Sequence, residues 1–304
     1  MKYWALRLAA MVVPRLPREV AERGGMLLGL LMWLSPGPLR RRATDNLRHV
    51  PTLANDPRRL RGAVRGVFLH AALNYVDFLR GPSLTDQELL SGWTIEGEDI
   101  FQSRVDEGRG LVILAGHFGN FERAISRAGA LGYPMVTPAE HLEPERLFQL
   151  FCRIRTHHRM RLVPADRRDS LRELFGALKR GEVVAMAADR HIIGASQEVP
   201  LFGTPVRLPT GPFSLALRSG APIVVGLSWR TGRRRAHGIF AAIETASEDG
   251  STVPDGGAPA RPTEAALIAG LQRQFVAVLE RQIAAHPEQW VSALSPVWDE
   301  AGES

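Results

Sequence analysis

Two hydrophobic periods alternate along most of this chain. Short apolar runs of three to eight residues predict buried strands over 93–96, 111–115, 135–138, 162–164, 183–187 and 222–229. Thr231-Gly232 is placed to turn the last of these back into a hairpin with 238–244. Between the strands, apolar residues recur at helical spacing, predicting helices over 99–107, from 121 onward, 144–155, 170–179 and 211–217, and a long helix over 263–285. Strands alternating with helices in this way describe an α/β fold, with a mostly parallel central sheet covered by helices on both faces. Residues 247–262 are rich in Gly, Pro and Ser and predict a surface loop, and the stretch from Asp189 to Gly203 also reads as a loop.

The first 85 residues follow a different pattern and are expected to form a helical, membrane-associating region ahead of an α/β core over 86–304. Trp4, Leu6, Leu8, Met11, Val12 and Val13 are followed by the run Met26 to Leu34, with arginines between and after them. The uncharged span between Arg23 and Arg40 is sixteen residues long and contains Pro36 and Pro38. A membrane-crossing helix needs about twenty predominantly apolar residues. The pattern therefore predicts amphipathic helices lying in a membrane interface, with Trp4 and Trp33 as anchors. Arg40, Arg41, Arg42, Arg48, Arg58, Arg59, Arg61 and Arg65 supply a basic face beside them.

Composition narrows the class. At 304 residues, 45% hydrophobic and 23% charged, the chain is that of a folded protein with a sizeable core. Cys152 is the only cysteine, which excludes an intramolecular disulfide and a cysteine-rich metal site. The net charge is +6, and residues 1–70 hold thirteen Arg or Lys against four Asp or Glu. An anionic membrane surface or a phosphorylated ligand is the expected partner. Few aromatic residues are interleaved with these arginines, so nucleic acid is not expected. There is no Walker loop, dinucleotide-binding glycine fingerprint or Gly-x-Ser-x-Gly elbow. The adjacent His157 and His158 diverge on a helix, and His141 and His191 lack partners at metal spacing, so no metal site is expected.

The chemistry concentrates where the strand 111–115 runs through Gly116 into His117-Phe-Gly-Asn-Phe-Glu122. His117 lies at the carboxyl end of a predicted strand, just before a helix that Asn120 is placed to cap. Glu122 follows across the strand-to-helix turn, close enough to fold back toward the imidazole. A histidine oriented by a carboxylate can take a proton from a hydroxyl. The same spacing also fits a core histidine satisfied by a neighbouring carboxylate. Asp189 and Arg190 leave the strand 183–187 at the same rim, and the loop beyond carries Glu198. Arg207, with Thr210 and Gly211 opening a helix, offers a cation and free N–H groups suited to an oxyanion or phosphate; an ordinary N-cap accounts for Thr210 equally well.

These residues resemble the glycerophospholipid acyltransferase superfamily, marked by His-x4-Asp/Glu, and within it the bacterial lipid A biosynthesis and phosphatidylinositol mannoside acyltransferases. The resemblance runs nearly end to end. It is carried by Gly-His117-Phe-Gly-Asn-Phe-Glu122, Leu-Val-Pro164, Ala-Asp189-Arg190, Leu-Phe-Gly203, Leu-Pro-Thr-Gly-Pro212 and His-Pro-Glu-Gln-Trp290. It implies transfer of a long fatty acyl group from acyl-CoA or acyl carrier protein to a hydroxyl of a lipid or glycolipid, with no bound cofactor. The expected location is peripheral, on the cytoplasmic face of the bacterial inner membrane.

By the same resemblance His117 is the general base and Arg155, with Arg153 as a competitor, binds a phosphate. Either Glu122 or Glu198 orients the histidine. Backbone N–H groups near Gly119 or Gly211 would hold the oxyanion. Arg159 stands where the family often has glycine, and the usual basic tail is missing, which bears on the acceptor more than on the reaction. Two other readings remain open at this point: a thioesterase or lipid hydrolase using the same histidine, and a non-catalytic protein that binds anionic membranes.

Overall fold

A computed structural model of the chain describes residues 2–156, 160–167, 169–191, 194–244 and 262–298. Four helices lead: α1 (Lys2–Val12), α2 (Arg18–Leu34), α3 (Pro38–Arg48) and α4 (Pro57–Arg80). The short α5 (Asp86–Leu90) follows, closed by a capping box between Thr85 and Glu88. Strands and helices then alternate: β1 (Trp93–Glu96), α6 (Glu98–Asp106), β2 (Leu111–Ala115), α7 (Phe121–Ala130), β3 (Met135–Ala139), α8 (Glu145–Arg155), β4 (Met160–Pro164), α9 (Ser170–Lys179) and β5 (Val183–Ala187). The hairpin β6 (Ser196–Leu201) and β7 (Thr204–Pro209) leads into α10 (Gly211–Ser219), β8 (Ile223–Arg230), β9 (Ala236–Ile243) and α11 (Glu264–Ala285).

Seven of these strands form one sheet in the order β1-β9-β8-β2-β5-β3-β4. All neighbours pair in parallel except β8 and β9, which form the antiparallel hairpin expected around Thr231-Gly232. The central strands β2, β5 and β8 are short β-branched runs buried on both faces, as a covered parallel sheet requires.

One face of the sheet packs the main core, in which Leu114, Val184 and Val225 meet Phe213 and Phe275 from α10 and α11. Leu47, Val64, Val67 and Phe68 from α3 and α4 belong to that same core, so the leading helices and the sheet share it. The opposite face carries a smaller cluster of Ile113, Met135, Ala185 and Val224 with Phe101 from α6 and Ile125 from α7.

Three local expectations are corrected. The stretch from Asp189 to Gly203 is not simply a loop, because residues 196–209 form the β6–β7 hairpin, with Val199 opposite Val206 and Leu201 opposite Thr204. Trp33 is no interfacial anchor: it is 8% exposed, with the guanidinium groups of Arg40 and Arg61 over its ring. Trp4, at 58%, is exposed. Asn120 occupies the position before α7, but its side chain makes no cap hydrogen bond, because its backbone (φ −107°, ψ 46°) is outside the extended region that capping needs. Residues 157–159 and 245–261, with His157, His158, Arg159 and nearly all of the predicted Gly/Pro-rich loop, lie outside the described residues.

On α2, Gly25 and Gly29 face α4 so closely that a Cβ at Gly29 would lie 2.7 Å from the Phe68 carbonyl oxygen. The other side of α2 (Leu27, Leu28, Leu31 and Leu34) is exposed, as are Trp4, Leu8 and Met11 on α1. No helix among the described residues is long and apolar enough to cross a membrane.

Candidate active site

The register between β2 and β5 builds the centre of the site. Ala115 and Ala187 are paired at the ends of the two strands. Two residues past each end stand His117 and Asp189, brought side by side by equal offsets from a common register. His117 Nδ1 lies 3.0 Å from Asp189 Oδ1, and the His117 backbone N–H donates to Asp189 Oδ2 at 2.8 Å. The Ser292 hydroxyl donates to the same Oδ2 at 2.5 Å. The Asp189 side chain is fully buried, while the imidazole is 29% exposed. Burial alone would push the Asp189 carboxyl up. The positive charge on His117 and the hydrogen bonds from His117 and Ser292 outweigh it and hold the group below its ordinary range.

A carboxylate at Nδ1 places the imidazole proton on that nitrogen and leaves Nε2 as the basic one. His117 is thereby set up to accept a proton from a group that approaches from the open side.

The turn after His117 is fastened from three directions. Its carbonyl accepts from the backbone N–H groups of Val291 (2.9 Å) and Ser292 (3.2 Å), and Phe118 forms an isolated antiparallel bridge with Trp290. The Gly119 N–H donates to the Gln289 carbonyl at 2.8 Å, and the Gly119 carbonyl accepts from Asn74 Nδ2 of α4 at 2.8 Å. Asn74 is held in turn by Arg230, which also pairs with Asp77 at 2.5 Å. Gly119 has φ +59°, and a Cβ there would fall 1.8 Å from the Ser228 carbonyl oxygen, so no other residue fits. The Gly119 N–H, one of those near Gly119 or Gly211 considered as oxyanion donors, is engaged by the Gln289 carbonyl in this structure.

The remaining candidates divide. Glu122, in the first turn of α7, does not reach the imidazole in this structure. It forms a two-point ion pair with Arg155 (Nε to Oε2 3.2 Å, with a second contact from Nη2 to Oε1), both side chains being largely buried. Glu198 is on the exposed side of β6, 66% accessible, 3.8 Å from Arg207 across the hairpin. The partner of His117 is therefore Asp189, not Glu122 or Glu198. Arg190 turns toward the carboxyl-terminal segment and donates to Ser295 Oγ at 2.8 Å. The Thr210 hydroxyl donates to the Ala195 carbonyl at 3.1 Å instead of capping α10, and Gly211 begins that helix with open space around it. Sequence reasoning missed Ser292, Asn74 and Arg230 as supports of the site.

Beside the dyad the sheet is hollow. An apolar cavity lies between the sheet and helices α6 and α7. Ala115, Gly116, Phe118 and Phe121, the immediate neighbours of His117, line one part of it; Ile113, Met135, Phe101, Phe240, Ile95 and Trp93 line the rest. Gly226 and Gly238 let neighbouring side chains close onto the sheet: a Cβ on Gly226 would come within 2.9 Å of Ile113, and one on Gly238 within 2.9 Å of Ile95.

The sequence model of the bacterial lipid A biosynthesis acyltransferases matches residues 1–295. The chain belongs to this family. It is 30% identical over 210 residues, 67% of its length, to phosphatidylinositol mannoside acyltransferases of two Mycobacterium tuberculosis strains, and the match spans 59% of those proteins. It is 28% identical over 157 residues to a phosphatidylinositol mannoside acyltransferase of Mycolicibacterium smegmatis, covering half of each chain. The match with the Mycobacterium tuberculosis proteins thus extends over less than two thirds of their length.

Proposed function

We propose that this protein is a lipid O-acyltransferase that moves a long-chain fatty acyl group from an acyl thioester, acyl-CoA or acyl carrier protein, to a hydroxyl of a lipid or glycolipid of the phosphatidylinositol mannoside or lipid A type. The observation that carries the reading is a carboxylate-oriented histidine at the edge of a cavity with the predominantly apolar lining of a small-molecule site. Burial of each methylene contributes about 0.8 kcal/mol, so a cavity of this lining favours a long hydrocarbon chain over a polar ligand.

In the proposed reaction His117 Nε2 takes the proton of the acceptor hydroxyl while the oxygen attacks the thioester carbon. Asp189 stabilises the imidazolium that results. As the intermediate collapses, the carbon–sulfur bond breaks and the departing thiolate takes the proton back from Nε2. No enzyme nucleophile is needed. Cys152 is ill suited to be one, since burial and the nearby Glu145 raise its thiol above the ordinary range. Arg155 is the phosphate-binding arginine that the resemblance implies, and a phosphate of donor or acceptor would have to displace Glu122 from its guanidinium.

The exposed apolar faces of α1 and α2, next to the arginines of α3 and α4, fit docking on an anionic membrane surface, where acceptor lipids are found. On this reading the protein is peripheral to the cytoplasmic face of the inner membrane.

The test is product analysis. Purified protein is incubated with radiolabelled palmitoyl-CoA, then palmitoyl-acyl carrier protein, and a total lipid extract of its host, with His117→Ala in parallel. A labelled lipid made only by the intact histidine supports transfer and identifies the acceptor by mass. Label released only as free fatty acid would replace the reading with that of a hydrolase.

A further inference from the structure

The cavity beside the dyad is apolar except at two residues. Arg127 pairs with Glu98 (2.9 Å) and lies over the ring of Trp93. The other exception is Ser228, on the floor. It is 4% exposed, and its hydroxyl has no hydrogen-bond partner among the described residues. A buried hydroxyl in that condition destabilises the empty protein, because it has lost water and gained nothing in return. A ligand with an acceptor atom at that point would remove the deficit.

Where Ser228 sits indicates which atom. The parallel register of β2 on β8 pairs Ile113 with Val224 and Leu114 with Val225. Carried forward to the end of β2, it puts Ala115, two residues before His117, level with Gly226, two residues before Ser228. Side chains alternate along β8, so Ser228 shares the cavity face with Gly226 and Val224. The catalytic turn also lies directly against this residue, since a Cβ on Gly119 would strike the Ser228 carbonyl. An acyl chain lying in the cavity with its thioester beside His117 brings its carbonyl oxygen to the height of Ser228. The Gly119 N–H already donates to the Gln289 carbonyl and is not available to that oxygen.

We propose that Ser228 is a further catalytic residue, whose hydroxyl donates to the carbonyl oxygen of the bound acyl thioester and holds the negative charge that develops there. The inference rests on the acyl-transfer reading above. When the acceptor oxygen bonds to the thioester carbon, the carbonyl π pair moves onto its oxygen, and the Ser228 O–H bond stays intact while its hydrogen bond strengthens. When the carbon–sulfur bond breaks, the carbonyl re-forms and the charge leaves with the thiolate, which His117 protonates. A donor in a water-excluded pocket, aimed at a developing oxyanion, acts mostly on the transition state.

The test uses Ser228→Ala and the similarly sized but weakly donating Ser228→Cys, with palmitoyl-CoA carrying 13C at its carbonyl. The expected result has three parts. The carbonyl stretch of the bound thioester, read by infrared difference spectroscopy without acceptor, is lower in the wild type than in either variant. The kcat for transfer falls about 100-fold in both variants, with the KM for donor nearly unchanged. The thermal midpoint of Ser228→Ala rises, because the unsatisfied hydroxyl is gone. An unchanged carbonyl frequency with unchanged kcat would overturn the proposal, as would full activity in Ser228→Cys, which would reduce the role to side-chain size. The infrared measurement also separates the two readings. A Ser228-dependent shift in a protein that transfers nothing would sink the transfer reading alone; active transfer without that shift would sink only the Ser228 assignment. Failure of both palmitoyl-CoA and palmitoyl-acyl carrier protein to bind would sink both.

Discussion

The two faces of the central sheet are built from the same strands and reach opposite ends. On β2 and β8, Val112, Leu114, Val225 and Leu227 point to the face covered by α4, α10 and α11, where bulky residues fill the space. The alternate positions Ile113, Ala115, Val224, Gly226 and Ser228 face α6 and α7, and toward the rim they shrink to Ala, Gly and Ser. One face is packed and the other is left open where the dyad stands. Period-two alternation thus separates two tasks within single strands: residues of one parity hold the fold, and those of the other shape the room for a ligand.

Substitutions on the two faces should therefore have different consequences. The largest effect on stability is expected from Leu114→Ala, which removes a fully buried side chain from the packed face. It should lower the unfolding free energy by about 2–5 kcal/mol in urea titrations and leave acyl-chain preference as it was. Gly226→Val, on the cavity face, would press its Cβ against Ile113 at 2.9 Å and so should both cost stability and narrow the cavity. It fills room that two or three methylenes would occupy, worth about 2 kcal/mol, so turnover of palmitoyl donor should drop about 30-fold relative to a donor shorter by that many carbons. Equal loss with all chain lengths would mean that the cavity does not hold the acyl chain.

A smaller effect is expected at His70 of α4, whose imidazole is pushed down to about 3 by burial and by the charge of Arg230. Between about pH 6.5 and 3 the unfolded chain binds a proton there and the folded protein does not. Stability should then fall as the pH is lowered through that window, by at most about 1.4 kcal/mol per pH unit. His70→Leu should flatten this slope in thermal melts taken from pH 7 to pH 4. An identical slope in the variant would assign the acid sensitivity to other groups.

The sheet and most helices were legible because each central strand is a compact β-branched run and each helix carries a clear apolar stripe. The β6–β7 hairpin escaped notice although Val199 and Leu201, then Val206 and Leu208, alternate as a strand should. Pro200, Pro205 and Pro209 interrupt both runs, and a lone two-strand ribbon tolerates them. Its turn, Phe202-Gly203, has φ +50° and +76°, a conformation more often signalled by Asn or Asp than by Phe.

At the site, His117 could be singled out from its strand-glycine-histidine setting, but its partner could not. Glu122 is near in sequence, yet α7 carries it toward Arg155 on α8. Asp189 is 72 residues away and reaches the imidazole because β2 and β5, which are not consecutive, share a register. Ser292, Asn74 and Arg230 arrive from still more distant segments and carry no motif of their own. Local pattern marks the residue with the chemistry; the residues that orient it follow from strand order.

The central claim is that Asp189 orients the catalytic histidine. The most direct measurement compares transfer by Asp189→Asn and Glu122→Gln under saturating palmitoyl donor. Asp189→Asn should lower kcat by about 10³–10⁴-fold with little change in KM, since an amide no longer enforces the Nδ1–H tautomer or stabilises the imidazolium. Glu122→Gln should retain most of kcat and act chiefly through KM. A Glu122→Gln enzyme that loses turnover by that factor while Asp189→Asn retains it would contradict the account.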